Sequence, residues 1–356
     1  MKDNIQTPVW RLAFTVLLFF AVPERTYISV PERPDTTYAF GDGHISCVID
    51  TGNDMYSKTG LKAGFNYELL HMYAESAGCL VEISAARDGE CYIDSLNYGT
   101  IDILVRLSAD SLDNPLLRKS RNVDSYCAWY LRADQTAEMK DINLWINSFT
   151  GTAEYSELQK RFYSPYDPFR RLERGTVSQT ISPYDSLIKK HASRLDWDWR
   201  LLAAVIWQES RFAINSSSSR GASGLMQVMP GTAEYYGITD LLDPEQNIIA
   251  GTRHLARIQD NFDGDEFSDE ERINFTLAAY NAGERRIEDC RIFAGQKDLD
   301  NTRWEDIVKV IPDMRKYSFV YGDTVRSGRF RGTETISYVS KVMEIYRAFC
   351  EICPEV

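Results

Sequence analysis

The chain has 356 residues, 44% hydrophobic and 12% aromatic, with a net charge of −12. That is enough apolar material for real cores and suggests two domains. Residues 181–356 hold 28 acidic and 22 basic side chains, which is half of the excess, so neither half is basic. With no Lys/Arg stripe, nucleic acid is excluded as a partner class.

Lys2 and Arg11 flank the start of the chain, and Leu12–Val22 is an apolar run of eleven residues. The run suits the apolar part of an export signal and is short for a membrane span. Ala21-Val22-Pro23-Glu24 is a poor cleavage site, and the first cysteine is Cys47, so a lipid anchor has no support. Residues 1–25 are therefore expected to be a signal peptide or a membrane anchor, and export to the periplasm follows from either.

Residues 26–163 read as alternating strand and helix. Strands are expected at Tyr27–Val30, Leu80–Ile83, Ile101–Val105 and Tyr126–Arg132. Helices are expected from Gly64 onward and over Ala137–Phe149 and Glu154–Phe162, with Ser108–Asn122 irregular. The alternation predicts an α/β layer with a mainly parallel sheet. Gly64-Phe65-Asn66-Tyr67-Glu68-Leu69 and Gly99-Thr100-Ile101-Asp102-Ile103 resemble signals of the extracellular solute-binding proteins that take amino acids. The stretch is long enough for one lobe of such a protein, and no arginine stands where that family clamps a ligand carboxylate. The resemblance therefore implies a scaffold or interaction module without a closed ligand cleft.

Ser164–Ser182 carries Pro165, Asp167-Pro168 and three arginines, which is linker composition. From Pro183 to the end the pattern is helical throughout, giving an α+β protein with an all-α second domain over 183–356. Asp198 and Asp243-Pro244 are helix starts. The acidic run Asp260–Glu271 fails as a calcium loop, because Phe262 stands at a ligand position and no central glycine aligns. The seven cysteines are odd in number, and Cys350-Glu-Ile-Cys353 has no partner pair for zinc. They are expected to be structural, with room for one bridge tying the C-terminal tail to the body. No metal or cofactor is expected.

Glu209 is the informative residue of the second half. Leu202, Val205 and Ile206 mark one face of a helix, and Glu209 is the next position on that face. A carboxyl held against an apolar wall keeps its proton to higher pH, as a general acid on a glycosidic oxygen must. The helix alone leaves a second reading open: Glu209 as the solvated end of an amphipathic helix.

The motifs that follow favour the first reading. Glu209-Ser210, Ser218 before Gly221-Ala222, Gly224-Leu225-Met226-Gln227, Met229-Pro230 and Leu242-Asp243-Pro244 come in order. Asn247-Ile248, Ala279-Tyr280-Asn281-Ala282-Gly283 and Glu334-Thr335 with Tyr338-Val339 complete the series. In this order they resemble the soluble lytic transglycosylase family, the goose-lysozyme-like murein lyases, and its membrane-bound F-like branch. The resemblance implies a lysozyme-like domain that acts on peptidoglycan glycan strands, with periplasmic location and outer-membrane attachment. It implies Glu209 as the catalytic acid and then base, and a 1,6-anhydromuramic product. Ser218, Gly224, Met226, Gln227, Tyr280, Asn281, Glu334 and Tyr338 are the implied substrate-binding or cleft residues. Met226 is expected to wall the acid, and Tyr280 to bond either Glu209 or the substrate's N-acetyl group. Every catalytic motif lies after Pro183, so residues 181–356 alone are expected to cleave murein. A water-using muramidase and a non-catalytic muropeptide or amino-acid sensor are the competing readings.

Overall fold

The computed structural model describes residues 40–355 except 42, 52–59, 88–89, 110–111, 164–167, 170–174, 265 and 315–331. The expected strand at Tyr27–Val30 and the apolar run Leu12–Val22 lie outside the described residues. Five strands form one sheet: β1 (His44–Asp50), β2 (Leu80–Ala85), β3 (Ile103–Leu107), β4 (Leu117–Asn122) and β5 (Cys127–Arg132). Their order is β2-β1-β3-β5-β4. The helices of this half are α1 (Gly60–Ala77), α2 (Tyr92–Asn97), α3 (Thr136–Phe149) and α4 (Ala153–Tyr163).

The sheet is mixed, which corrects the mainly parallel expectation. β1 runs parallel to β2 and β3, each reached through a helix, whereas β5 is antiparallel to both β3 and β4. β4 and β5 are separated by residues 123–126 alone, too few for a crossover, so the pair must be antiparallel. β4 was also missed because Leu-Arg-Lys-Ser-Arg-Asn carries no apolar alternation. Its exposed Arg118, Lys119, Arg121 and Asn122 suit an edge strand, where charge discourages pairing with another chain.

Side-chain alternation gives the sheet two covered faces. Ile45, Cys47, Ile49, Ile103, Val105, Cys127, Trp129 and Leu131 face α1, α3 and α4 in the main core. Val48, Leu104, Ala128 and Tyr130 face the other way and pack with Leu96 of α2. The buried Trp129 indole Nε1 donates to Asn66 Oδ1 at 3.0 Å and ties β5 to α1.

The second half is helical: α5 (Asp185–Ala192), α6 (Trp199–Ser210), α7 (Pro230–Tyr235), α8 (Pro244–Gln259), α9 (Asp269–Ala282), α10 (Glu284–Gln296), α11 (Trp304–Val310) and α12 (Thr333–Ile352). α6 is apolar on every side from Leu201 to Ile206 and is fully enclosed. It packs along α12, and α9 packs against both α8 and α12.

One apolar core runs from Phe40 to Cys353 and draws residues from both halves. The junction is close. A Cβ at Gly64 of α1 would stand 2.5 Å from the Tyr184 hydroxyl oxygen and 2.7 Å from the Phe162 ring. Only glycine lets α1, α4 and the start of α5 meet there. Phe162 and Tyr184 pack edge to face at 6.0 Å.

None of the seven cysteines is in a disulfide, Cys350 and Cys353 included. The tail is instead held by Arg200, which is buried in the first turn of α6. Its Nη1 donates to the Cys353 carbonyl at 2.9 Å and its Nη2 to Glu355 Oε1 at 3.1 Å, while Asp198 takes up the rest of the guanidinium. Among the described residues no helix is long and apolar enough to cross a membrane.

Candidate active site

α6 brings Glu209 to the site and then stops. Asp198 caps its start by accepting from Arg200 N. Arg211 at the other end is left-handed, with φ 55°, which ends the helix two residues beyond Glu209. Ser210 is fully buried, and its hydroxyl donates to the Leu225 carbonyl at 2.7 Å. The residue next to the candidate acid is thereby bonded to the Gly224–Gln227 turn.

That turn is built on backbone. Gly224 has φ +78°, and a Cβ there would fall 2.0 Å from Asn247 Nδ2 and 2.5 Å from the Leu241 carbonyl oxygen. No other residue fits a left-handed position with backbone so close. Asn247, on α8, is fully buried and fills the space. Its Oδ1 accepts from Met226 N at 2.8 Å, and its Nδ2 donates to the Ser223 and Leu241 carbonyls at 3.0 and 2.9 Å. Gln227 turns its amide inward, donating to the Ser216 and Gly224 carbonyls at 3.0 Å each.

Two tyrosines close the site. The Tyr338 hydroxyl, from α12, donates to Glu209 Oε1 at 2.6 Å. Tyr280, from α9, donates to the Met226 carbonyl at 2.7 Å rather than to Glu209, and burial, with the charge of nearby Glu209, pushes its phenol up. Burial raises the Glu209 carboxyl from 4.5 to about 7, and the Tyr338 hydrogen bond opposes part of that rise by favouring the ionised form. No ion pair reaches Glu209 among the described residues. The group is therefore poised to lose or hold its proton near neutrality.

The remaining expected residues are placed as follows. Met226 is fully buried with its thioether over Gly251 of α8, where a Cβ would meet the sulfur at 2.3 Å, so its carbonyl is what Tyr280 grips. Ser218 is exposed, and its hydroxyl accepts from Ala222 N at 3.1 Å within its own loop. Asn281 is exposed and accepts from the Thr335 hydroxyl at 2.9 Å, linking α9 to α12. Glu334 is exposed in the first turn of α12, one helical turn before Tyr338. Glu209, Tyr338, Tyr280 and the 224–227 turn are thus brought together, while Ser218, Asn281 and Glu334 lie at the surface. Asn247 and Ser210 are the organising residues that sequence reasoning did not assign. A buried asparagine on the apolar face of α8, beside Ile248, Gly251 and Leu255, was the available signal.

Comparison with known proteins places this arrangement. Residues 186–301 match the family described as Transglycosylase SLT domain. That match lies within the helical half. The match takes in Glu209, the 224–227 turn and Tyr280; Glu334 and Tyr338 follow it. A membrane-bound lytic murein transglycosylase F of Desulfosudis oleivorans is 33% identical over 256 residues, 69% of this chain and 56% of that protein. One from Pseudomonas fluorescens is 31% identical over 224 residues, 62% of this chain and 46% of that protein. The chain thus spans about half the length of these curated relatives. Among solved structures, the 70 kDa soluble lytic transglycosylase of Escherichia coli aligns with 68% of this chain and 39% of its own, at 21% identity and a TM-score of 0.36.

Proposed function

We propose that the chain is an exported peptidoglycan lytic transglycosylase in which Glu209 serves first as acid and then as base. The observation that carries the reading is a largely enclosed carboxyl raised to about 7, with burial and Tyr338 as its perturbing influences among the described residues. Glycosidases that deliver water or form a covalent intermediate normally set two carboxyls about 5–9.5 Å apart. One carboxyl suffices for a reaction in which the substrate supplies its own nucleophile.

In that reaction Glu209 gives its proton to the glycosidic oxygen as the bond from the N-acetylmuramic anomeric carbon to that oxygen breaks. The 6-hydroxyl of the same sugar forms the new bond to the anomeric carbon and returns its proton to Glu209. The product is a 1,6-anhydro end, no water is consumed, and the acid is restored. A positioned internal nucleophile has a high effective molarity. The Tyr338 hydroxyl stabilises the carboxylate that exists between the two transfers and fixes which oxygen faces the bond.

Ser218, Asn281 and Glu334 are solvent-facing groups available to a glycan, whereas Gly224, Met226, Gln227 and Tyr280 support the reading by shaping the turn behind the acid. Murein is itself anionic, so hydrogen bonds and stacking, not charge attraction, would hold it to this acidic chain. We keep residues 26–163 as a single solute-binding-like lobe joined through 164–182 to the catalytic domain of 183–356. Periplasmic location with membrane attachment through residues 1–25 completes the proposal.

Mass analysis of products from purified murein is the test. Anhydromuramic ends, one water lighter than hydrolysis products, are expected. Reducing muramic ends would replace this reading with a muramidase, and no cleavage would favour a sensor.

A further inference from the structure

The sheet half touches the catalytic half at a point that leads directly to the acid. Tyr67 of α1 is buried at 5% exposure, and its hydroxyl donates to Asp240 Oδ2 at 3.2 Å. Asp240 belongs to the short connection between α7 and α8. Its other oxygen accepts from Leu242 N at 2.8 Å, and Gln246 Oε1 accepts from both Thr239 N and Asp240 N at 3.3 Å. This connection is therefore a bonded loop, not a free one.

The far side of the loop is the near side of the active-site turn. The Leu241 carbonyl accepts from Asn247 Nδ2, the same amide that holds Ser223. It also lies against Gly224 so closely that a methyl group could not be inserted. Asn247 then holds Met226 N, Tyr280 holds the Met226 carbonyl, and Ser210 holds Leu225. From Tyr67 to the residue beside Glu209 the path runs through hydrogen bonds of 2.7–3.3 Å and backbone contact.

We propose that Tyr67 is a positioning residue for the Glu209 site: its hydroxyl fixes the 239–242 loop, and that loop fixes the Gly224–Gln227 turn that excludes water from the acid. The sheet half would then act as a permanent brace for catalysis. Tyr67 can keep this role over a wide pH range. Burial and the nearby Asp240, Asp243 and Glu68 all hold its phenol protonated, and the His71 ring lies at 4.6 Å. Among the described residues, the titratable groups facing Glu209 are Tyr338 and Tyr280, both driven up by burial and by Glu209 itself, so neither competes for its proton near neutrality.

This inference rests on the transglycosylase reading for its kinetic arm only. Tyr67→Phe removes the hydroxyl and keeps the ring, and Asp240→Ala removes the acceptor from the other side. In the full chain, murein turnover and the titration midpoint of the Glu209 carboxyl, followed by 13C NMR, are measured for both. The expected result is a three- to tenfold fall in kcat with KM little changed, and a Glu209 midpoint moved down by at least half a pH unit as water enters. Asp240→Asn, which retains an acceptor oxygen, should restore both. If the melting temperature falls but the midpoint and kcat stay at the wild-type values, Tyr67 is merely structural and the proposal is overturned. If the wild-type chain does not turn over murein, the functional reading fails while the midpoint still decides the brace.

Discussion

Glu209→Gln should make the protein more stable at alkaline pH while stopping its chemistry. The carboxyl rises from 4.5 to about 7 on folding, chiefly through burial. A group that binds its proton more tightly in the folded state contributes stability below its unfolded pKa. That contribution is lost as pH rises to the folded value. At about 1.36 kcal/mol per pH unit, the climb amounts to roughly 3 kcal/mol. Part of the side chain remains accessible, so about 2–3 kcal/mol is the fair expectation. Glutamine keeps the shape and an acceptor oxygen for Tyr338 but never ionises. Urea unfolding at pH 4 and pH 8 should show the stability difference moving by about 2–3 kcal/mol in favour of the glutamine variant. Murein turnover should fall by about 100-fold or more, because acid–base assistance is typically worth that much. Parallel pH–stability curves for the two proteins would refute the claim that Glu209 is ionised against a burial cost. Near-normal turnover would remove it from the mechanism.

Tyr338→Phe leaves burial unopposed, so the Glu209 pKa should rise. A hydrogen bond to a charged group is worth about 1.5–3 kcal/mol, which moves the alkaline limb of the kcat profile up by about one to two pH units; an unmoved limb would count against the contact. Gly224→Ala forces a Cβ into Asn247 and the Leu241 carbonyl at a positive φ, and should cost about 3 kcal/mol or more as read by chemical denaturation; a fully stable variant would show that the turn relaxes freely. Residues 181–356 produced alone retain every catalytic motif but lose α1 and α4 from a shared core. Their melting temperature is expected below that of the full chain, and an equal value would show that the two halves are energetically independent.

The amino-acid order by itself determined the chemistry-bearing helix. Leu202, Val205 and Ile206 set an apolar face, and a carboxyl next on that face is abnormal wherever the helix docks, because desolvation acts on any enclosed carboxyl. The helices at 136–149 and 153–163 were equally legible, since each carries its own period of buried residues, and β5 reads as a continuous apolar run. Local pattern could not give the sheet's mixed direction. β4 is a polar edge whose pairing depends on the length of the chain before β5, not on its own side chains. Nor could it decide what Tyr280 and Gln227 do. Both are polar groups in a site motif, yet tertiary packing turns them onto backbone carbonyls 54 and 11 residues away in sequence. The partnership of Glu209 with Tyr338 spans 129 residues, and the contact of Tyr67 with Asp240 spans 173. Hydrogen bonds of that separation leave no periodic trace in a sequence, because they are set by which helices pack and at what height. The acid could be read from its neighbours, but the tyrosine that tunes its proton affinity was fixed only when α12 packed along α6.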